Sequence, residues 1–279
     1  MRVKRDFDRV YDEQSDPWAI GAADDPRYDL YRERLLARVR GGRLLDIGCG
    51  LGAFLARFAE EFDELVGVET AAEAVRRGRE IRPEIRFHEA AAEGLEATEL
   101  DDETFDAIIL SDVLYYLRPR DRATMLAWTA SHLRAGGHAL VAAWCPGGRY
   151  FEPDEFRELV GSALRSVDDV ELPSQHVAIV ARPKLRLVAF ARRAPAGAVA
   201  VTASDDPEHV VKRAVAALPR HPSPELLRWR RRLGLRRHPT QAGDELVAVD
   251  GEETPAFREA FERRGFQVVS PEELAQAAG

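Results

Sequence analysis

The stretch 44-LLDIGCGLGAF-54 sets an apolar run against three glycines at every other position, with one carboxylate, Asp46, two residues ahead of the first. The apolar run suits a buried strand, and the glycines suit a tight turn out of it. The helical spacing of 53-AFLARFAEEF-62 completes a strand, turn and helix, the first step of a parallel sheet. The same alternation repeats downstream. ELVGVE (64–69) reads as a strand and TAAEAVRRGREI as a helix; IRFHEA (85–90) and FDAIILSD (105–112) read as the third and fourth strands. A helix over 120–134 is expected to stop at the Gly136-Gly137 pair, where AGGHALVAAW (135–144) begins the fifth strand. PDEFRELVGSAL reads as a helix, and VDDVELP with HVAIVARP as two strands joined in an antiparallel hairpin. The expected fold class is α/β, a doubly wound and mostly parallel sheet of seven strands.

Three regions are expected. Residues 1–42 form a polar, aromatic-studded segment with helical periodicity near YDLYRERLLARV, and residues 43–190 form the main domain. Residues 191–279 form a small α/β appendage containing AVAVT (198–202), PEHVVKRAVAAL, ELVAVD (245–250), TPAFREAFERRGF and QVVS. With 279 residues, 45% of them hydrophobic, the chain is long enough for a full core and a second smaller one. MRVKRDFDRV is charged, and no run approaches the roughly 18 apolar residues that span a bilayer. Two cysteines, Cys49 and Cys145, make no disulfide framework, so a cytoplasmic protein is expected. Two thiols and scattered histidines suggest no metal site, and a net charge of −8 argues against a surface built wholly for nucleic acid.

The glycine loop also fits the G-x-G-x-x-[GA] pattern of dinucleotide sites, in which a pyrophosphate sits on a helix N-terminus. Asp46 speaks against that ligand. At roughly 6 Å and an effective dielectric near 20, each carboxylate–phosphate charge pair repels by about 3 kcal/mol. S-adenosylmethionine (SAM) has no phosphate and suits both features, with its ammonium toward Asp46 and its carboxylate near the loop N–H groups. Glu69 closes the second strand, where it can accept hydrogen bonds from ribose hydroxyls.

DIGCGLG (46–52), GVE (67–69), FDAIILSDVLYYL (105–117) and AGGHALV (135–141) occur in order over roughly residues 40–145. In these pieces the chain resembles the class I SAM-dependent methyltransferases, with their Rossmann-like fold and S-adenosyl-L-homocysteine (SAH) as product. The resemblance implies that Asp46, Gly48, Gly50 and Gly52 line the methionine end, that Glu69 holds the ribose, and that Ser111 and Asp112 border the methyl group; Cys49 lies within the same cofactor-binding loop, where its small size is a sufficient explanation. Ala91 stands where the family often has an Asp for the adenine amine, which shifts adenine recognition to backbone groups of Ala91 and Ala92 or to Glu93. DPW (16–18) and VLYYL (113–117) look like the NodS-like branch, whose namesakes N-methylate a chito-oligosaccharide amine.

Methyl transfer from a sulfonium rests on proximity, alignment and exclusion of water, with a base required when the acceptor arrives protonated. Asp112, Tyr115 and Tyr116 follow the fourth strand and are the candidate catalytic group: Asp112 to orient or deprotonate an amine, the tyrosines to wall the acceptor. The competing reading has Asp112 capping a turn and one tyrosine in the core. Trp18, Tyr28 and Tyr31 belong either to a lid over the cofactor or to a helix packed on the sheet. Trp144 either borders the acceptor or is core, and His88 reads as structural. Arg228, Arg230, Arg231, Arg232, Arg236 and Arg237 surround Trp229 in a basic run that suits either phosphate or a solvated helix face. The first expectation for function is methylation of a small molecule such as an amino sugar. The alternatives are an RNA or protein methyltransferase that docks through the C-terminal region, and a non-catalytic SAM-binding regulator.

Overall fold

The structure, a computed structural model, describes residues 7–18, 25–148, 150–184, 186–193, 198–204, 206–217 and 245–278. Among these residues the chain divides after Pro183 into two compact units.

The first unit is built on β1 (Arg43–Ile47), β2 (Glu64–Glu69), β3 (Ile85–Glu89), β4 (Phe105–Ser111), β5 (Leu133–Trp144), β6 (Leu164–Glu171) and β7 (His176–Pro183). Their order across the sheet is β3-β2-β1-β4-β5-β7-β6. Strands β3 through β5 run parallel, and β7 runs antiparallel to both β5 and β6, so the expected hairpin is present. The order reverses between β1 and β4, which opens a crevice at their carboxyl ends, at Gly48 and Asp112. Both faces of this sheet are covered, which explains why its strands read as continuous apolar runs. On one face Leu45, Ile47, Ile108 and Leu110 pack with Met125 and Leu126 of α4 (Pro119–His132) and with Phe156 and Leu159 of α5 (Pro153–Val160). On the other, Leu44, Ala107, Ile109 and Leu140 pack with Tyr31 and Leu35 of α2 (Pro26–Leu36). Asp25 caps α2 by accepting from the Arg27 backbone N–H at 3.0 Å, with Pro26 in the first turn. Full burial of a side chain such as Leu35 stabilises by roughly 1.5–3 kcal/mol. Two shorter pieces, α1 (Phe7–Glu13) and α3 (Ala72–Ile81), meet around Tyr11, Ala71 and Ala74.

Two local expectations change. Residues 53–62 form a 3-10 turn at Leu55–Phe58 rather than a regular helix. The Nε of Arg32 donates to the Arg57 carbonyl at 2.7 Å, the acceptor that an α-helix would offer to Glu61 N–H, and Glu61 bonds Phe58 instead. Spacing by four still aligns Phe54, Phe58 and Phe62 in edge-on contact, with centroids 5.3 and 6.1 Å apart. The Gly136-Gly137 pair does not end the preceding helix, which stops at His132; it lies inside β5 at a bulge against β4. Gly136 has φ +83°, and a Cβ on Gly137 would come within 2.9 Å of the Asp106 carbonyl.

The second unit has a parallel sheet of β8 (Arg186–Phe190), β9 (Val199–Thr202), β10 (Glu245–Asp250) and β11 (Phe266–Val268), in the order β11-β8-β10-β9. Val188, Val201, Val247 and Val249 pack with Val210 and Val211 of α6 (Pro207–Ala217) and with Phe257 and Phe261 of α7 (Pro255–Arg263). Leu274 of α8 (Pro271–Ala278) packs with Ala189, Leu246 and Ala248. Strand β8 and helix α8 were not foreseen. The arginine run 228–238 lies outside the described residues.

Candidate active site

At the crevice, Gly48, Gly50 and Gly52 take φ +83°, +56° and +75°, the left-handed region that side chains avoid. A Cβ would also clash at each of them, 2.6 Å from Val113 at Gly48, 2.6 Å from the Tyr11 hydroxyl at Gly50 and 2.8 Å from Ile85 at Gly52. Four of the loop's N–H groups point inward to the protein itself. Gly48 and Cys49 donate to the Val68 carbonyl, Gly52 to Cys49, and Gly50 to Oε2 of Glu69 at 3.0 Å. The sequence reading had offered these donors to a bound carboxylate. They are already engaged, and the segment behind them is not a helix that would lend a dipole.

Strand alternation puts Asp46 on the face of Leu44, at the mouth of β1. Its side chain is 4% exposed, and no hydrogen bond to it is found among the described residues. Burial first, and then the charge of Glu69, push its carboxyl up to about 7. Glu69 is buried too, yet it accepts from the N–H groups of Thr70 (2.8 Å) and Ala71 (2.9 Å) as well as Gly50. Burial raises its carboxyl despite these bonds, and about one of a carboxylate's four lone-pair sites is left for a ligand hydroxyl.

Across the crevice, Asp112 holds φ +56°, unusual for a residue with a side chain. Its backbone N–H donates to Ala142, and its Oδ1 accepts from the Trp144 N–H at 3.0 Å, which ties the end of β4 to the end of β5. Burial raises its carboxyl, opposed by His176, Arg27, the Trp144 N–H and a hydrogen bond from Tyr115. Arg27 Nη1 lies 3.9 Å from Asp112 Oδ2 and also contacts Nε2 of His176, while its Nε donates to Asp25 at 2.8 Å. Ser111 Oγ is buried with no hydrogen-bond partner among the described residues. Half-buried rings line the rim. Tyr115 meets Tyr116 (4.6 Å) and Tyr150 (5.5 Å), Tyr150 meets Trp144 (4.8 Å), and Tyr116 meets Phe7 edge-on at 5.2 Å. Trp18 packs at a tilt against Phe7 and Tyr11; α1 meets the glycine loop through Tyr11 and the rim through Phe7, and α2 packs on the sheet.

Residues 44–137 match the model of a family described as a methyltransferase domain. Over those residues the chain carries a methyltransferase domain of the class I, SAM-dependent kind. It is also similar to Nodulation protein S of Azorhizobium caulinodans, 29% identical over 167 residues, which is 55% of this chain and 77% of that protein. A second similar protein is the dTDP-3-amino-3,4,6-trideoxy-alpha-D-glucopyranose N,N-dimethyltransferase of Streptomyces venezuelae, 26% identical over 140 residues, covering 50% of this chain and 55% of that one. Among solved structures, the N-methyltransferase NodS of Bradyrhizobium japonicum with SAH shares the fold at a TM-score of 0.56 and 19% identity, over 64% of this chain and 99% of that one.

The crevice has Asp46, the three glycines and Glu69 at one end and Ser111, Asp112, Tyr115 and Tyr116 at the other. Ala91 precedes a 3-10 turn at Ala92–Ala97, and Ala92 and Glu93 line a cleft with Asp121, Thr124 and Trp128 of α4. His88 pairs with Glu99 at 3.1 Å, in keeping with a structural role. Tyr11, Arg27 and His176 were not singled out from the sequence. Their only signal was a position in the aromatic N-terminal segment for two of them and at a strand start for the third.

Proposed function

We propose that this methyltransferase methylates the amine of a small molecule, an amino sugar being the favoured class. The observation that carries the reading is Asp112, a carboxylate anchored at the carboxyl end of β4 beneath a rim of half-buried aromatic rings. Such a rim attracts a cationic amine through its ring faces and excludes water, while a carboxylate raised by burial accepts its proton. The name of the Streptomyces relative, an N,N-dimethyltransferase of an amino sugar, supports the direction.

The residues present fit SAM. Asp46 is a buried carboxylate with no hydrogen bond among the described residues, suited to the ammonium of the methionine end, and Glu69 keeps one acceptor site for a ribose hydroxyl. Because four loop N–H groups are engaged internally, the methionine carboxylate falls to Arg27, whose planar fork has donors beyond those spent on Asp25 and His176. Bound SAM supplies a methyl group on a sulfonium that departs as a thioether. Asp112 orients the acceptor nitrogen in line and takes its proton, leaving the nitrogen lone pair free to attack.

The test is turnover of an amine panel that includes amino sugars, followed by mass spectrometry, with Asp112→Asn as the informative variant. We expect kcat to fall by about 100-fold with a smaller change in the KM for SAM, and the acid limb of the pH–rate profile to disappear. An unchanged profile in Asp112→Asn removes the base role, and SAH binding without turnover of any amine removes the enzymatic reading of the acceptor.

A further inference from the structure

In the sheet order, β4, β5 and β7 are consecutive, and their ends at the crevice carry Asp112, Trp144 and His176 side by side. Trp144 pairs with His176 in the ladder, and its own N–H holds Asp112. Above them Arg27 reaches down from α2, and its Nη1 meets both His176 Nε2 and Asp112 Oδ2, the latter at 3.9 Å. Arginine only donates, so His176 Nε2 must present its lone pair. The imidazole is then the neutral tautomer with its proton on Nδ1, which points at the Ser174 carbonyl at 3.0 Å. Both ring nitrogens are therefore spent, and His176 has no free lone pair with which to act as a base itself.

We propose that His176 is a positioning residue, whose neutral imidazole accepts from Arg27 and aims the guanidinium at the methionine carboxylate beside Asp112, and whose protonation releases it. This rests on the cofactor reading given above. Charging the ring would set two cations against each other at hydrogen-bond distance and send the imidazolium toward Asp112 instead. The charged groups acting on His176 are Arg27 and Asp25 from α2 and its cap and Asp112 just past the end of β4. Burial lowers His176 below the ordinary histidine value, Asp112 opposes that shift and Arg27 reinforces it, so the ring is neutral at pH 7 and takes its proton only on further acidification.

The experiment is SAH affinity by calorimetry between pH 5.5 and 8 for the wild type, His176→Phe and His176→Gln, with circular dichroism to confirm folding. His176→Phe should bind about tenfold more weakly at pH 8, because Arg27 loses its acceptor. His176→Gln keeps an acceptor oxygen and should recover most of that loss. Since glutamine takes no proton, its affinity relative to wild type should rise as the pH drops below 6. Asp46 titrates alike in all three proteins and cancels in the ratio. A wild-type to His176→Gln ratio that stays constant over the range, or full SAH affinity in His176→Phe at pH 8, overturns the proposal. Wild type that binds no SAH even at pH 8 instead overturns the cofactor reading on which it stands.

Discussion

Burial beside Glu69 brings the Asp46 carboxyl up to about 7, so at neutral pH it stands midway between charged and neutral. A cationic ammonium arriving there favours the charged form, so SAH binding near pH 7 should expel a proton, and the calorimetric heat should vary with the ionisation heat of the buffer. The same group costs the empty protein stability. Its folded value lies above the unfolded value near 3.9, so its contribution is most favourable below pH 4 and is lost as the pH rises toward 7. Asp46→Asn does not titrate; it should be more stable than wild type at pH 8 by about 2–4 kcal/mol, show little difference near pH 4, and lose SAH affinity by about tenfold or more. Equal stabilities at pH 8 would show that Asp46 is not held against its solvation. This residue was legible because its chemistry is local: a carboxylate inside an apolar run just before glycines is odd on its face. Arg27 and His176 are 149 positions apart, and only the fold makes them neighbours.

At the scale of elements, α1 is tied to α3 by Arg77, which donates to the Tyr11 carbonyl at 3.1 Å and also to that of Ser15. This puts the Tyr11 hydroxyl over the glycine loop, 2.6 Å from where a Cβ on Gly50 would stand. Gly50→Ala therefore meets two obstacles, its left-handed backbone and the Tyr11 hydroxyl. Tyr11→Phe removes the nearer oxygen and should lessen the harm. In a double-mutant cycle read by SAH affinity, the two changes should couple by about 1 kcal/mol, and strict additivity would mean that α1 does not press on the loop. The seven strands of the main sheet were readable because burial on both faces leaves unbroken apolar runs between turn residues. The helix expected over 53–62 failed because a distant side chain, Arg32, takes the carbonyl that would have carried it on. Strand β8 went unseen because RLVAF follows closely on β7, with Pro183 the main punctuation between them.

For the molecule as a whole, two cores without shared residues mean two sets of interactions that a ligand stabilises separately. Asp46, Glu69, Arg27 and Asp112 all belong to the first unit, and the valine–phenylalanine core of β8–β11 to the second. A ligand that binds only folded protein raises stability by about 2.7 kcal/mol at 100 times its Kd. For a unit of this size that corresponds to roughly 5–10 °C in melting temperature. Differential scanning calorimetry of the full chain should thus show a transition that SAH moves upward by this amount and another that it leaves in place. In Asp46→Asn, with SAH bound about tenfold more weakly, the same ligand concentration stabilises by only about 1.4 kcal/mol, so the same transition should move about half as far. If SAH moves both transitions of the wild type together, the second unit shares in cofactor binding, and its role lies closer to the chemistry than its separate core suggests.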